Sequence, residues 1–127
     1  MSWCTMILGI GTDIVELDRI FDAIQNKKFL HRCFTEHEIL SFEQSKKISY
    51  LAGNFAAKEA FVKALGTGFR SIYPNDISIL RDNLGKPYII LSQKIYDDNI
   101  LTKNIKIHVS ISHIEKYATS FVVLELA

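Results

Sequence analysis

The sequence predicts an α+β fold with a mostly antiparallel sheet packed against a block of helices. Three observations predict it. Residues 17 to 65 carry the helical periodicity and almost all of the good helix formers. Residues 76 to 126 carry short alternating runs rich in Ile and Val, separated by turn residues. A further apolar run, Met6 to Val15, precedes the helical block. Strands segregated from helices read as α+β, not as alternating βα units. At 127 residues, with 48% hydrophobic and 23% charged residues, the chain is expected to form one globular domain over 1–127.

Taken in order, the first run is Met6-Ile-Leu-Gly-Ile-Gly-Thr-Asp-Ile-Val15, a buried strand interrupted by two glycines. Glycine weakens a strand unless a ligand or another backbone must come close. Asp13 lies inside this apolar run, where a carboxylate needs a partner, a metal or a strand end near solvent. It also reads as a turn or cap residue ahead of the next helix. Gly9-Ile-Gly11 lacks the third glycine and the following βαβ unit of a dinucleotide fingerprint. Residues 17 to 24 form a short amphipathic helix with Leu17, Ile20, Phe21 and Ile24 on one side.

Arg19, Lys27, Lys28 and Arg32 then interleave with Phe29, Leu30 and Phe34. Such a strip is either a solvated basic face or a docking strip for an acidic partner. Thr35-Glu-His-Glu38 has the form of a capping box and opens a helix to about Gln44.

After a break at 45–47, Ile48 to Leu65 is the longest helix. Apolar residues at 48, 51, 55, 62 and 65 make a stripe, and Gly66 supplies the left-handed stop. Glu59 and Lys63 project from one face, about 6 Å apart along the axis. The plain reading of such a pair is surface decoration. The sharper one is a carboxylate and an ammonium that hold a divalent cation and a phosphate.

Beyond Gly68 the chain turns to strands. Asp76 to Leu80 and Tyr88 to Leu91 flank the turn Asp82-Asn-Leu-Gly-Lys-Pro87 and read as a hairpin. Ser92 to Asn99 is a candidate helix. Ile105, Ile107, Val109 and Ile111 alternate with polar residues in a half-buried strand. Tyr117 to Leu126 is more uniformly apolar, which predicts burial on both faces or at an interface. By parity His113 follows the apolar side of its strand, and it is either a core histidine or a strand-end group able to reach a phosphate.

The formal net charge of +1 excludes a whole-molecule basic field for nucleic acid. No apolar run is long enough to span a membrane, and the first residues show no secretory signal. Cys4 and Cys33 have no CxxC spacing, so a cytoplasmic chain with reduced thiols and no structural zinc is expected.

Three segments together resemble holo-acyl-carrier-protein synthase, the small-subunit class of 4′-phosphopantetheinyl transferases. They are Gly9-Ile-Gly-Thr-Asp-Ile-Val-Glu16, Phe55-Ala-Ala-Lys-Glu-Ala-Phe-Val-Lys63 and Val109-Ser-Ile-Ser-His113. Their order and spacing match across essentially the whole chain from Met6 onward. The Gly-Thr-Gly after the helix and the Gly85-Lys-Pro87 turn add to the match. The resemblance implies transfer of the 4′-phosphopantetheine group of coenzyme A to a serine hydroxyl of apo-acyl carrier protein. Adenosine 3′,5′-bisphosphate leaves, and the reaction supports fatty acid biosynthesis.

The resemblance also implies roles. Asp13 and Glu59 are the Mg²⁺ carboxylates, and Lys63 binds phosphate and can protonate the leaving group. The serine proton goes to Asp13 or to a metal-bound hydroxide. Lys63, Gly66, Gly68 and His113 contact coenzyme A. Arg19, with Lys28 and Arg32 on the same strip beside Ile20, Phe21 and Phe29, docks the acidic carrier. A homotrimer with sites between neighbouring subunits follows from the same resemblance. Two other classes make different predictions. A binding module would hold coenzyme A without modifying a carrier. A structural protein would show no Mg²⁺-dependent ligand binding. The feature that discriminates is Asp13 within an apolar strand, which only a site readily explains.

Overall fold

The computed structural model describes residues 6–126. Cys4 and the rest of the segment ahead of Met6 lie outside the described residues. The elements are β1 (Met6–Glu16), α1 (Leu17–Ala23), α2 (Lys27–Cys33), α3 (Glu36–Ser45) and α4 (Ile48–Leu65). A 3₁₀ turn (Pro74–Asp76), β2 (Ile77–Arg81), β3 (Pro87–Leu91), α5 (Gln93–Asp97), β4 (Ile105–His113) and β5 (Tyr117–Leu126) follow. The fold is α+β and all strand pairing is antiparallel, but it forms two sheets: β1-β5-β4 and the hairpin β2-β3.

The long helix α4 lies across the inner face of the three-stranded sheet, with its closest packing on β1. The glycines of β1 make this possible. A Cβ built on Gly9 would lie 1.9 Å from the Ala64 carbonyl oxygen, and one on Gly11 would lie 1.9 Å from that of Ala60. Another backbone therefore occupies the space those glycines leave.

A single apolar stripe was expected on α4, yet Leu51, Ala52, Ala56, Ala57, Ala60, Phe61, Val62 and Ala64 bury most of its circumference. The alanines explain the difference, because they are small enough to let β1, α1, β2 and β4 all approach. Phe61 and Val62 join a core with Ile77, Ile79, Val122 and Leu124. Leu51 and Ala52 join another with Leu17, Ile20, Phe34 and Ala118. Gly66 caps the helix at φ 81° in the left-handed region, as the sequence predicts.

Two polar side chains sit at the heart of the helical block, and both are fully buried: Lys58 and Glu38. Lys58 Nζ donates to Glu38 Oε1 (2.6 Å), to the Cys33 carbonyl (2.7 Å) and to the Pro74 carbonyl (3.0 Å). Those three bonds use all three ammonium donors. Glu38 also accepts from Thr35 N (2.9 Å), Asn54 Nδ2 (2.9 Å) and Ile79 N (3.3 Å). Glu38 is at once the last residue of the predicted capping box and the counter-charge of Lys58. Burial lowers the Lys58 pKa below the ordinary lysine value, and Glu38 opposes that shift.

The uniformly apolar β5 does not bury both faces within one chain. Ala118, Ser120, Val122 and Leu124 face α4, while Tyr117 and Phe121 point outward and are exposed. Ile10 and Ile14 of β1 are exposed on the same sheet, so its outer face is apolar. His113 is exposed at the end of β4, which excludes the core-histidine reading.

Candidate active site

Asp13 is paired with Ser120 in the middle of the β1–β5 ladder, so it is a strand residue. The cap position of α1 belongs to Glu16, whose side chain makes no capping bond. Alternation in β1 turns Asp13 to the same side as Gly9 and Gly11, against α4. Because β1 runs antiparallel to α4, the helix presents Glu59 and Lys63 to it one turn apart. Lys63 Nζ lies 3.2 Å from Asp13 Oδ1 and 3.1 Å from the Thr12 carbonyl. The Asp13 side chain is 17% exposed and that of Lys63 54%, so the ion pair is open to solvent on one side. The strand is pinned there by Thr119 Oγ1, which donates to the Asp13 carbonyl at 2.8 Å.

Asp13 and Glu59 line a cleft of about 450 Å³. Its other walls include Arg19 and Ile20 from α1, Phe29 from α2 and Phe55 from α4. Burial raises the Glu59 pKa, and the neighbouring Asp13 charge raises it further, while Lys63 works in the opposite direction. Two neighbouring carboxylates, one of which resists ionisation through burial first and its neighbour's charge second, are a hard-oxygen donor pair. Among the described residues, no cluster of three or more His, Cys, Asp or Glu side chains forms a self-sufficient metal cage. A donor set of two carboxylates fits Mg²⁺, which keeps several waters and takes substrate phosphates as further ligands.

The structure separates the remaining predicted residues. Arg19 lines the cleft, whereas Lys28 and Arg32 lie on the exposed surface of α2 and do not. Phe21 is exposed, but Ile20 is only 5% exposed and belongs to the core as well as to the cleft floor. Gly66 and Gly68 follow α4 with φ of 81° and 61°, and neither has any heavy atom near its missing Cβ. His113 lies in a separate hollow of about 310 Å³, with Lys47, Tyr50, Arg81, Gly85 and Pro87. There the Arg81 guanidinium donates to Asn54 Oδ1 at 2.8 Å and stacks 4.9 Å from the Tyr50 ring.

Sequence reasoning missed Phe55 as a cleft wall, Lys47 and Arg81 as companions of His113, and Lys58–Glu38 as a buried pair. The available signals were Phe55 four residues before Glu59 and Lys58 on the buried side of the stripe.

The central helix of this α+β fold crosses a strand bearing an aspartate. A family model described as the 4′-phosphopantetheinyl transferase superfamily matches residues 9–122, and the chain belongs to that superfamily. Within it the chain is similar to proteins named holo-[acyl-carrier-protein] synthase. That of Clostridium beijerinckii is 52% identical over 94% of this chain and 98% of the relative. That of Fusobacterium nucleatum is 42% identical over 94% and 99%. Among solved structures, a holo-(acyl-carrier-protein) synthase from Bacillus anthracis in complex with CoA (3′,5′-ADP) superposes with TM-score 0.81 at 38% identity, covering 96% of this chain and 99% of that one. The Helicobacter pylori enzyme in complex with coenzyme A superposes with TM-score 0.77 at 37% identity, covering 91% and 98%.

Proposed function

We propose that this chain is a Mg²⁺-dependent holo-[acyl-carrier-protein] synthase acting as one domain. It transfers 4′-phosphopantetheine from coenzyme A to a serine hydroxyl of apo-acyl carrier protein, releases adenosine 3′,5′-bisphosphate and supports fatty acid biosynthesis. One observation carries the reading: Asp13 and Glu59, distant in sequence, line one cleft that Arg19 also lines, and Lys63 pairs with Asp13.

Asp13 and Glu59 would hold Mg²⁺, which when bound neutralises pyrophosphate charge and aligns it for attack by the serine oxygen. The chain's own groups do the rest. Lys63, more than half exposed and held over Asp13, is free to swing onto a phosphate oxygen and to give the leaving phosphate a proton. Asp13, released from Lys63 by that movement, can accept the serine proton. The apolar walls at Phe29 and Phe55 keep bulk water from competing with the serine.

Arg19 at the cleft rim, with Lys28 and Arg32 outside it, offers cations to an acidic carrier. Gly66, Gly68 and His113 bind coenzyme A from positions outside the cleft. The distance of His113 from that cleft supports a site completed by a neighbouring subunit. So does the apolar outer sheet face at Ile10, Ile14, Tyr117 and Phe121, which a homotrimer would cover. No helix among the described residues is long and apolar enough to cross a membrane, in keeping with a cytoplasmic enzyme.

The test is the intact mass of an apo-acyl carrier protein incubated with the protein, coenzyme A and Mg²⁺, with a chelator control. The expected result is a gain of one phosphopantetheine group that the chelator abolishes. No gain, while another transferase modifies the same carrier, overturns the reading for that carrier. Coenzyme A binding in that case would leave a binding protein.

A further inference from the structure

Helix α2 is only seven residues long, too short to be stable by its own backbone bonds. It nevertheless carries Lys28 and Arg32 on its surface and sets Phe29 into the cleft wall, where the ring packs 6.2 Å from that of Phe55. Its N-terminus is held locally, by the Asn26 side chain accepting from Lys28 N (2.9 Å) and Phe29 N (3.4 Å). Its C-terminus is held from far away. The Cys33 carbonyl accepts from Lys58 Nζ at 2.7 Å, and the ammonium also sits 5.1 Å from the ring of Phe34, the residue that ends the helix. Among the described residues, that bond is the sole hydrogen bond α2 receives from outside residues 26–34. A cation at a helix C-terminus also opposes the negative end of the helix dipole.

Lys58 is adjacent to Glu59 in sequence. Consecutive helical residues point about 100° apart, so one side chain enters the core while the other faces the cleft. The same turn of α4 thus presents a proposed metal ligand and fixes the helix that bears the cationic strip. Glu38, anchored by Thr35, Asn54 and Ile79, prevents the ammonium from turning elsewhere.

We propose that Lys58, buttressed by Glu38, is a positioning residue that registers the carrier-docking helix α2 against the catalytic helix α4. It touches no substrate. Its loss shifts Phe29, Lys28 and Arg32 relative to Glu59 and Lys63, so carrier recognition suffers while the coenzyme A contacts of Lys63 and His113 do not. The inference rests on the transferase reading above for its activity readout, and on hydrogen exchange for a readout free of it.

The experiment uses Lys58→Met combined with Glu38→Gln, which removes the ammonium without stranding a buried carboxylate charge. Expected are a rise of about tenfold in KM for apo-carrier, with kcat and KM for coenzyme A within about twofold of wild type. Amides 30–34 should exchange at least about tenfold faster, while those of α4 keep their protection. Equal losses in both substrates, or unchanged exchange at 30–34, overturn the proposal. A wild-type protein that modifies no carrier overturns the transferase reading instead, and the exchange result still decides the role of Lys58 in holding α2. Should the double variant not fold, Asn26→Ala loosens the same helix from its exposed end. A carrier-selective rise in KM is expected there too, and its absence in a protein with faster exchange at 30–34 overturns the proposal.

Discussion

Gly11 and Ala60 meet backbone to backbone: a Cβ on Gly11 would lie 1.9 Å from the Ala60 carbonyl oxygen and 2.8 Å from the Ala64 nitrogen. The obstacle is main chain, which cannot rotate away as a side chain would. Gly11→Ala therefore forces β1 off α4, at a cost of about 3 kcal/mol or more. The same shift separates Asp13 from Glu59. Urea unfolding and turnover should both show the loss, with activity failing even under conditions where the variant is folded.

The raised Glu59 pKa contributes a pH dependence to the stability of the metal-free protein. Burial, then Asp13, disfavours the ionised form in the folded chain. A carboxyl whose pKa is raised on folding costs nothing while protonated in both states. The penalty then grows as pH rises from the ordinary glutamate pKa up to the raised folded-state value. Stability should fall across that window and level off above it. Glu59→Gln should abolish that part of the slope, leave the melting temperature at neutral pH equal or higher, and reduce turnover by about 10²-fold or more. Thermal melts from pH 4 to 8, with and without Mg²⁺, check this: added Mg²⁺ should raise the melting temperature of wild type and not of the variant.

Arg19→Glu reverses a charge at the rim of the cleft without disturbing the core. Binding of an acidic carrier should weaken by about tenfold and lose part of its salt dependence, with coenzyme A affinity unchanged. Calorimetric titration with each substrate separates the two effects.

The outer sheet face should be sensitive to charge. Phe121 is 46% exposed and Ile14 65% exposed, each large, apolar and without a partner layer in one chain. Phe121→Glu should leave the monomer fold intact and shift the mass measured by light scattering from that of the proposed trimer to that of a monomer. A wild-type mass equal to one chain would refute the assembly.

Lys58→Met alone removes one member of a pair with no exposure on either side. It leaves the buried Glu38 carboxylate without its counter-charge, and a loss of about 3–5 kcal/mol is expected. Adding Glu38→Gln should recover much of it, as a double-mutant cycle would measure.

The bounds of α4 were legible at both ends because 45–47 breaks the pattern and Gly66 stops it. Strand β4 was legible because alternation over nine residues has a period that few helices imitate, and β5 because its ten residues form an apolar run. Helix α2 was not, since seven residues span too few turns to display a period, and its cationic surface drew attention to charge instead. The buried pair was hidden for another reason. A lysine between alanine and glutamate reads as solvated, and only the three-dimensional approach of Cys33, Glu38 and Pro74 supplies its partners. Asp13 was singled out from its place inside an apolar run, because a carboxylate in an apolar strand is costly. Its separation from His113 was invisible, because no local pattern records that β1 and β4 flank β5 on opposite sides.

The strand β5, last along the chain, lies in the middle of its sheet, between β1 and β4. Met6 pairs with Leu126 and Glu16 with Tyr117, so β1 has to wait for β5, about 100 residues later in synthesis. During translation, β1 and α4 can meet early, but the ladder that orients Asp13 cannot close until β5 has emerged. A chain halted before residue 117 would carry Asp13, Glu59 and Lys63 without the β5 ladder that aligns β1. Folding of this protein should accordingly be slow for its size, as expected where the decisive contacts join the two ends of the sequence.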